Sequence, residues 1–228
     1  MHFFSSSGFA IALDVVMIVY TLWVVSLGNK DGRMPWSLGF GMLGWLGLLH
    51  LGLSTHSLFP ADISGPVFLA VVLLAVGGVG ILLFSIASLR ERLLALDQQQ
   101  LMLLQGIRVL FGANFLMAAS LGNLPQTFGI LDGWTHIAAG FFGLIAASAL
   151  ARGVDGERRA WFANLFGLAD ILVVASTLSL LLLPTLTPFH PMMYAVFLPA
   201  PLWLWFHLVS IGKLTGKLSP VNARKVTV

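Results

Sequence analysis

Residues 65–89 read GPVFLAVVLLAVGGVGILLFSIASL, a run without a single charged side chain. An α-helix rises about 1.5 Å per residue. About 20 mostly apolar residues therefore cross the roughly 30 Å hydrocarbon core of a bilayer. An uninterrupted run of this length is typical of a membrane-spanning helix, so it predicts that this part of the chain lies in lipid.

The rest of the chain repeats this pattern. Of all residues, 58% are hydrophobic and 9% are charged, with a mean hydropathy of +0.94, whereas a soluble domain has about 25% charged residues. Windows long and apolar enough to span a membrane lie at about 8–27, 36–55, 65–89, 99–120, 131–151, 160–183 and 191–212. The sequence predicts an all-α, polytopic membrane bundle of seven transmembrane helices.

The basic residues predict the orientation of the helices. Cytoplasmic loops attract Lys and Arg. Of the 12 basic residues, all except Arg108 follow odd-numbered helices: Lys30, Arg33, Arg90, Arg92, Arg152, Arg158, Arg159, Lys213, Lys217, Arg224 and Lys225. The N-terminus is therefore expected outside and the C-terminus in the cytoplasm. A pI near 9.7 could suggest binding to nucleic acid. Because the basic residues follow the odd-numbered helices, we interpret them as a signal of membrane topology and expect no nucleic-acid partner.

The helices are expected to form a single domain over residues 1–228, with a short basic cytoplasmic tail at 213–228. Helices one to three and five to seven enter the membrane with the same polarity, which permits a 3+1+3 arrangement of the kind found in transporters. The chain has no cysteine, which excludes disulfides, thiolate metal sites and c-type haem. The lipid bilayer is the expected partner, and other membrane proteins or a homo-oligomer stay open.

The predicted outer side is rich in histidine. His50, His56, His136 and His190 fall there, together with Asp14 in the first helix. Imidazole and carboxylate groups suit Zn or Cu, and opposed histidines can ligate haem. His50 and His56 are six residues apart, about 240° around a helix, so a metal site has to form between helices. The alternative is that these histidines bind headgroups, water or backbone.

A second polar set lies deeper in the predicted membrane. It consists of Gln105 and Arg108 in the fourth helix, Asn164 and Asp170 in the sixth, and His207 in the seventh. Asp170 is near the predicted midplane, where charged groups are costly and usually functional. We expect an ion pair between Arg108 and Asp170, although Arg108 could also extend to the membrane surface. Pro199 and Pro201 predict a break in the last helix.

From these residues we consider three functions, in order of preference. The first is a transporter or binding protein for a small solute or ion, with Asp14, Gln105, Arg108, Asn164, Asp170 and His207 along its pathway. The second is a membrane metal or haem redox protein that uses the outer histidines. The third is a non-catalytic subunit of a larger membrane complex. No catalytic motif is present, which favours a protein that is not an enzyme.

Four segments carry a resemblance to a known group: QGIRVLFG (105–112), LPQTF (124–128), NLFGLADIL (164–172) and HLVS (207–210). They resemble patterns of uncharacterised bacterial seven-helix integral membrane proteins. The resemblance implies a multi-pass protein of the bacterial inner membrane and carries no known activity. An acidic residue tends to stand in that pattern where this chain has His136.

Overall fold

The computed structural model describes residues 7–28, 34–183 and 185–218. These residues form eight helices: α1 (Ser7–Leu27), α2 (Trp36–Ser54), α3 (Gly65–Ser85), α4 (Ala87–Ala95), α5 (Gln98–Ser120), α6 (Gln126–Arg152), α7 (Gly156–Leu182) and α8 (Met193–Leu214). All except α4 are long and apolar enough to cross a membrane. The all-helical prediction is confirmed. His2, residues 29–33 of the first basic loop and residues 219–228 of the predicted tail lie outside the described residues.

The bundle has two ends, which we name after α1 and α8. At the N-terminal end, where α1 begins, the ring of His56 stacks on Phe189 at 4.2 Å. At the C-terminal end, where α8 ends, Lys213 Nζ donates to the carbonyl of Leu94 at 2.7 Å. The short helix α4, which contains Leu94, lies at this second end. Which end faces the cytoplasm stays a prediction.

Small residues bring α5 and α6 into close contact, and α7 packs against α6. A side chain at Gly112 would overlap the backbone of Gly133, and one at Gly140 would overlap Val109. Close approach through small residues is how membrane helices gain packing energy, because lipid tails supply no hydrophobic drive for helix association. The three helices therefore form a dense unit in which a few polar side chains can be fully enclosed.

Helix α6 begins earlier than the sequence predicted. It begins at Gln126, directly after Pro125, and not near residue 131. The first turn contains Gln126, Thr127 and Gly129, which lower its apparent hydropathy, while Pro125 occupies the N-cap position directly before it. His136 thus lies ten residues into the helix, about 15 Å from its start, and is not at the outer surface as the sequence suggested.

Helices α5 and α8 each contain a local departure from α-helical geometry. In α5 the amides of Gly106 and Val109 donate to carbonyls three residues back, at 2.8 and 3.2 Å, so the helix is locally tighter on both sides of the buried Arg108. In α8 the helix breaks at Leu198, between Met193–Phe197 and Pro199–Leu214, as the two prolines predicted. Trp45 Nε1 donates to the freed carbonyl of Phe197 at 2.9 Å.

Candidate functional site

A cluster of four ionisable side chains lies in the core between α5, α6 and α7. Arg108 forms a direct ion pair with Asp170. Nδ1 of His136 lies 3.0 Å from Oδ2 of Asp170 and 2.9 Å from Oδ1 of Asp132. All four residues are at most 6% exposed. We call Arg108, Asp132, His136 and Asp170 the ion cluster.

Charge balance explains how the ion cluster is tolerated. Two carboxylates face one guanidinium, so a neutral His136 would leave one uncompensated negative charge. An uncompensated charge in a buried site costs several kcal/mol. A proton on His136 removes this charge, and its Nδ1 lies between the two carboxylates that would stabilise the cation. The arrangement therefore favours a proton on His136. Release of this proton would leave the ion cluster with one uncompensated negative charge.

A chain of neutral polar side chains leads from Arg108 toward the C-terminal end. Nη1 of Arg108 lies 3.1 Å from Nε2 of His207, and Nδ1 of His207 lies 2.9 Å from Oδ1 of Asn164. Since guanidinium can only donate, Nε2 accepts and the proton of a neutral His207 is on Nδ1. Asn164 Nδ2 then donates to Ser210 Oγ at 2.6 Å, and Gln98 also donates to this hydroxyl.

Aromatic rings and a glycine complete the enclosure. The ring of Trp203 lies 5.3 Å from Cζ of Arg108, in a cation–π arrangement. The same ring is 5.9 Å from that of His136, and Phe115 contacts His136 from another side at 5.3 Å. Gly167 makes room for the cluster, since a side chain there would overlap His207 and Arg108.

Three members of the ion cluster have the composition of a metal site. One ligand atom each from Asp132, His136 and Asp170 lie within 4.8 Å of one another. A histidine and two carboxylates suit Zn and other transition metals. A divalent ion there would take the place of the His136 proton. Arg108, which contacts Oδ2 of Asp170, would then orient this ligand.

The deep polar residues expected from the sequence are largely assembled in one place. Arg108 and Asp170 form the expected ion pair, and Arg108 does not extend to the surface. Asn164 and Asp170 lie on different faces of α7, yet both connect to Arg108, Asn164 through His207. Gln105 is fully buried one turn from Arg108, and its side-chain amide has no hydrogen-bond partner among the described residues.

The residues of the expected outer metal set lie in separate environments. His136 belongs to the ion cluster. His50 is exposed and its Nδ1 lies 2.7 Å from the hydroxyl of Tyr194, whereas His56 is exposed and stacks on Phe189. Asp14 is fully buried in α1. A metal or haem site shared by these residues stays a prediction, and the contacts group His136 with other carboxylates.

His190, the remaining member of that set, joins two loops. Its Nε2 lies 2.9 Å from the carbonyl of Asn123, and its Nδ1 accepts from the amide of Met192 at 3.2 Å. Burial lowers the pKa of His190, while the contact with Asn123 opposes this shift. The neutral imidazole satisfies both contacts, since one ring nitrogen donates and the other accepts.

Sequence reasoning missed three members of the site. Asp132 precedes His136 by four residues, and this spacing places both on one face of a helix, so the pair could have been found. Trp203 and Ser210 carry no comparable signal, because only the packing of α8 against α5 and α7 brings them to Arg108 and Asn164. Interhelical neighbours are decided by packing and not by local spacing.

The fold and the ion cluster together define a helical bundle with a buried ionisable centre, in which seven of the described helices are long and apolar enough to cross a membrane. The chain belongs to the family described as Domain of unknown function (DUF8737), whose model matches residues 66–215. The whole ion cluster and its His207 branch lie inside this match, whereas Asp14 and His50 precede it. No curated protein and no solved structure shows significant similarity to the chain.

Proposed function

We propose that this protein is a multi-pass membrane transporter or binding protein for a small solute or ion, and that the ion cluster holds a coupling proton. The observation that carries the proposal is the position of His136, whose Nδ1 lies between Asp132 and Asp170 at 2.9 and 3.0 Å. Intramembrane carboxylate and histidine groups commonly serve proton relays in pumps and transporters. Loading or releasing this proton changes the charge that α5, α6 and α7 share.

Arg108 favours a carrier over an open proton channel. On one side of Arg108 lie His136 and Asp170, and on the other lies His207. Guanidinium stays protonated and only donates hydrogen bonds, so it cannot pass a proton between these two groups. The His207 branch therefore orients Arg108 and does not continue a proton path. A proton bound at His136 would have to leave after a conformational change, as in alternating access.

The proposal extends to location and topology. We place the protein in the bacterial inner membrane, with its N-terminus outside and its C-terminus in the cytoplasm. The support is the distribution of basic residues between the loops, together with seven helices that are apolar enough to cross a membrane. In this orientation the His207 branch extends from the ion cluster toward the cytoplasmic side.

The test is charge movement in proteoliposomes on a solid-supported membrane. Stepwise pH changes should produce a transient current, because protons bind to the protein. Small solutes are then tested one at a time from a panel of alkali salts, carboxylic acids, amino acids and sugars. A transported solute should turn the transient into a sustained current. His136→Gln and Asp170→Asn should abolish the transient, whereas the exposed residues His56 and Asp62 provide matched controls as His56→Gln and Asp62→Asn.

Folding of each variant is checked by its thermal transition before the currents are compared. A transient of the wild-type size in folded His136→Gln would contradict the proposal. A steady proton current in the absence of solute would indicate a channel and contradict the role given to Arg108.

A metal-binding protein is the second candidate function, favoured by the grouping of Asp132, His136 and Asp170 within 4.8 Å. Mass spectrometry of protein purified without nickel columns or chelators measures its metal content. Near-stoichiometric Zn or Cu that is lost in His136→Gln would favour this candidate over a proton site. Iron would point to haem or an iron centre, and metal-free protein would favour the proton.

A further inference from the structure

Asp14 is a buried carboxyl group that the ion cluster does not use. Its side chain is 0% exposed, and neither of its oxygens has a hydrogen-bond partner among the described residues. It is the only charged residue of α1 and lies seven residues from its start, about 10 Å into the helix. A lone carboxylate in such a place is costly, because nothing replaces its hydration. The position therefore calls for a bound proton or cation.

Among the residues that the structure describes, no cation forms an ion pair with Asp14. Helices α2, α5 and α8 pack against α1. Arg108 on α5 is already bound to Asp170. Among the described residues, His50 is the one ionisable group of α2, and Tyr194 lies on the Met193–Phe197 segment of α8, which packs against α1. Neither residue is a permanent cation, so a proton is the simplest way to neutralise Asp14.

Tyr194 and His50 connect this position with the N-terminal end of the bundle. The Tyr194 side chain is buried, and its hydroxyl lies 2.7 Å from Nδ1 of His50. His50 is exposed and lies four residues before the end of α2, about 6 Å from it. Both tyrosine and histidine can donate and accept hydrogen bonds, so the pair has the composition of a proton relay.

We propose that Asp14 is a second proton-binding site, which exchanges its proton with water through Tyr194 and His50. The Asp14 acid gives its proton to the Tyr194 oxygen while the tyrosine proton passes to Nδ1 of His50, and Nε2 of His50 releases a proton to water. Return follows the same steps in reverse. Asp14 makes no direct hydrogen bond to Tyr194 in this structure, so a side-chain rotation or one water molecule completes the first step.

Infrared spectroscopy of the purified protein tests the site directly. A protonated carboxylic acid has a carbonyl stretching band apart from that of a carboxylate, and the band shifts when H2O is replaced by D2O. We expect such a band at neutral pH and its loss in Asp14→Asn. Absence of an Asp14-dependent band would overturn the proposal, as would loss of the band on addition of NaCl, which would indicate sodium at this position.

The rate of the D2O shift tests the relay. Tyr194→Phe retains the ring and removes the hydroxyl, so exchange at Asp14 should slow by about tenfold or more, which corresponds to about 1.4 kcal/mol in the barrier. Tyr20→Phe is the matched control, because Tyr20 bonds to the carbonyl of Leu103 on α5. Equal rates in wild type and Tyr194→Phe would overturn the relay. The site is independent of His136, so His136→Gln should leave the Asp14 band in place.

Discussion

At the scale of single residues, the stability of the ion cluster depends on charge balance. Asp170 contacts both Arg108 and His136, so Asp170→Asn leaves the positive groups short of a partner. Breaking a buried ion pair costs about 3–5 kcal/mol. We expect a clearly lower thermal transition for Asp170→Asn in detergent, measured by intrinsic fluorescence. Asp62→Asn, at an exposed loop position, should leave the transition unchanged, and an equal effect of both variants would contradict this account.

The packing of His207 and Arg108 requires a residue without a side chain at Gly167. An added Cβ would overlap Nε2 of His207 and crowd Arg108, and such overpacking typically costs about 1–3 kcal/mol. Gly167→Ala should therefore lower the thermal transition and weaken the pH-dependent charge movement. The control is Gly77→Ala in α3, where within the described residues an added Cβ meets nothing within 4 Å. A Gly167→Ala protein as stable as this control would argue against close packing at His207.

His190 makes stability depend on pH. Because burial lowers its pKa in the folded protein, the unfolded chain takes up the proton first as the pH falls. The contribution of His190 is complete above its unfolded pKa of about 6.5 and is lost progressively below that value. Thermal transitions of wild type and His190→Gln, compared from about pH 8 to about pH 5, should differ more at the alkaline end. A constant difference across this range would exclude the titration of His190.

At the scale of elements, the sequence predicts those features of a helix whose physical cause lies within a few residues of the chain. Pro199 and Pro201 predict the break in α8, because proline lacks an amide hydrogen and clashes with the preceding turn. The start of α6 was placed too late, because its first turn is polar although still helical. The pairing of His136 with Asp132 and Asp170, and not with His50 and Asp14, depends on how helices pack, and no spacing within one helix contains this information.

The break in α8 is stabilised by α2. Trp45 Nε1 donates to the carbonyl of Phe197 at 2.9 Å, which satisfies a group that the proline-broken helix leaves free. Trp45→Phe should cost about 1 kcal/mol for the lost hydrogen bond, with a correspondingly lower thermal transition. Trp134→Phe, at a ring that is 60% exposed, is the matched control. Equal transitions in both variants would show that the carbonyl finds another donor.

At the scale of the whole molecule, the two ends of the bundle differ in charge. The predicted cytoplasmic loops contain nearly all basic residues, while the apolar helices between them enclose the ion cluster and, separately, the buried carboxyl group of Asp14. This separation is consistent with a protein whose surface is adapted to lipid and whose polar core performs the function. For the proposed proton sites, the side of the membrane on which each end lies would decide the direction from which a proton reaches His136 or Asp14.

The chain contains no cysteine, so its topology can be tested by single-cysteine labelling without further changes. Ser57 and Ser88 are both exposed; Ser57 lies in the loop before α3, and Ser88 lies in α4, which follows α3. With the N-terminus outside, a membrane-impermeant maleimide added to intact cells should label Ser57→Cys and not Ser88→Cys. Permeabilised cells should show labelling of both, and the unaltered protein should show none. The reverse pattern in intact cells would invert the topology, and the Tyr194–His50 relay would then open toward the cytoplasm.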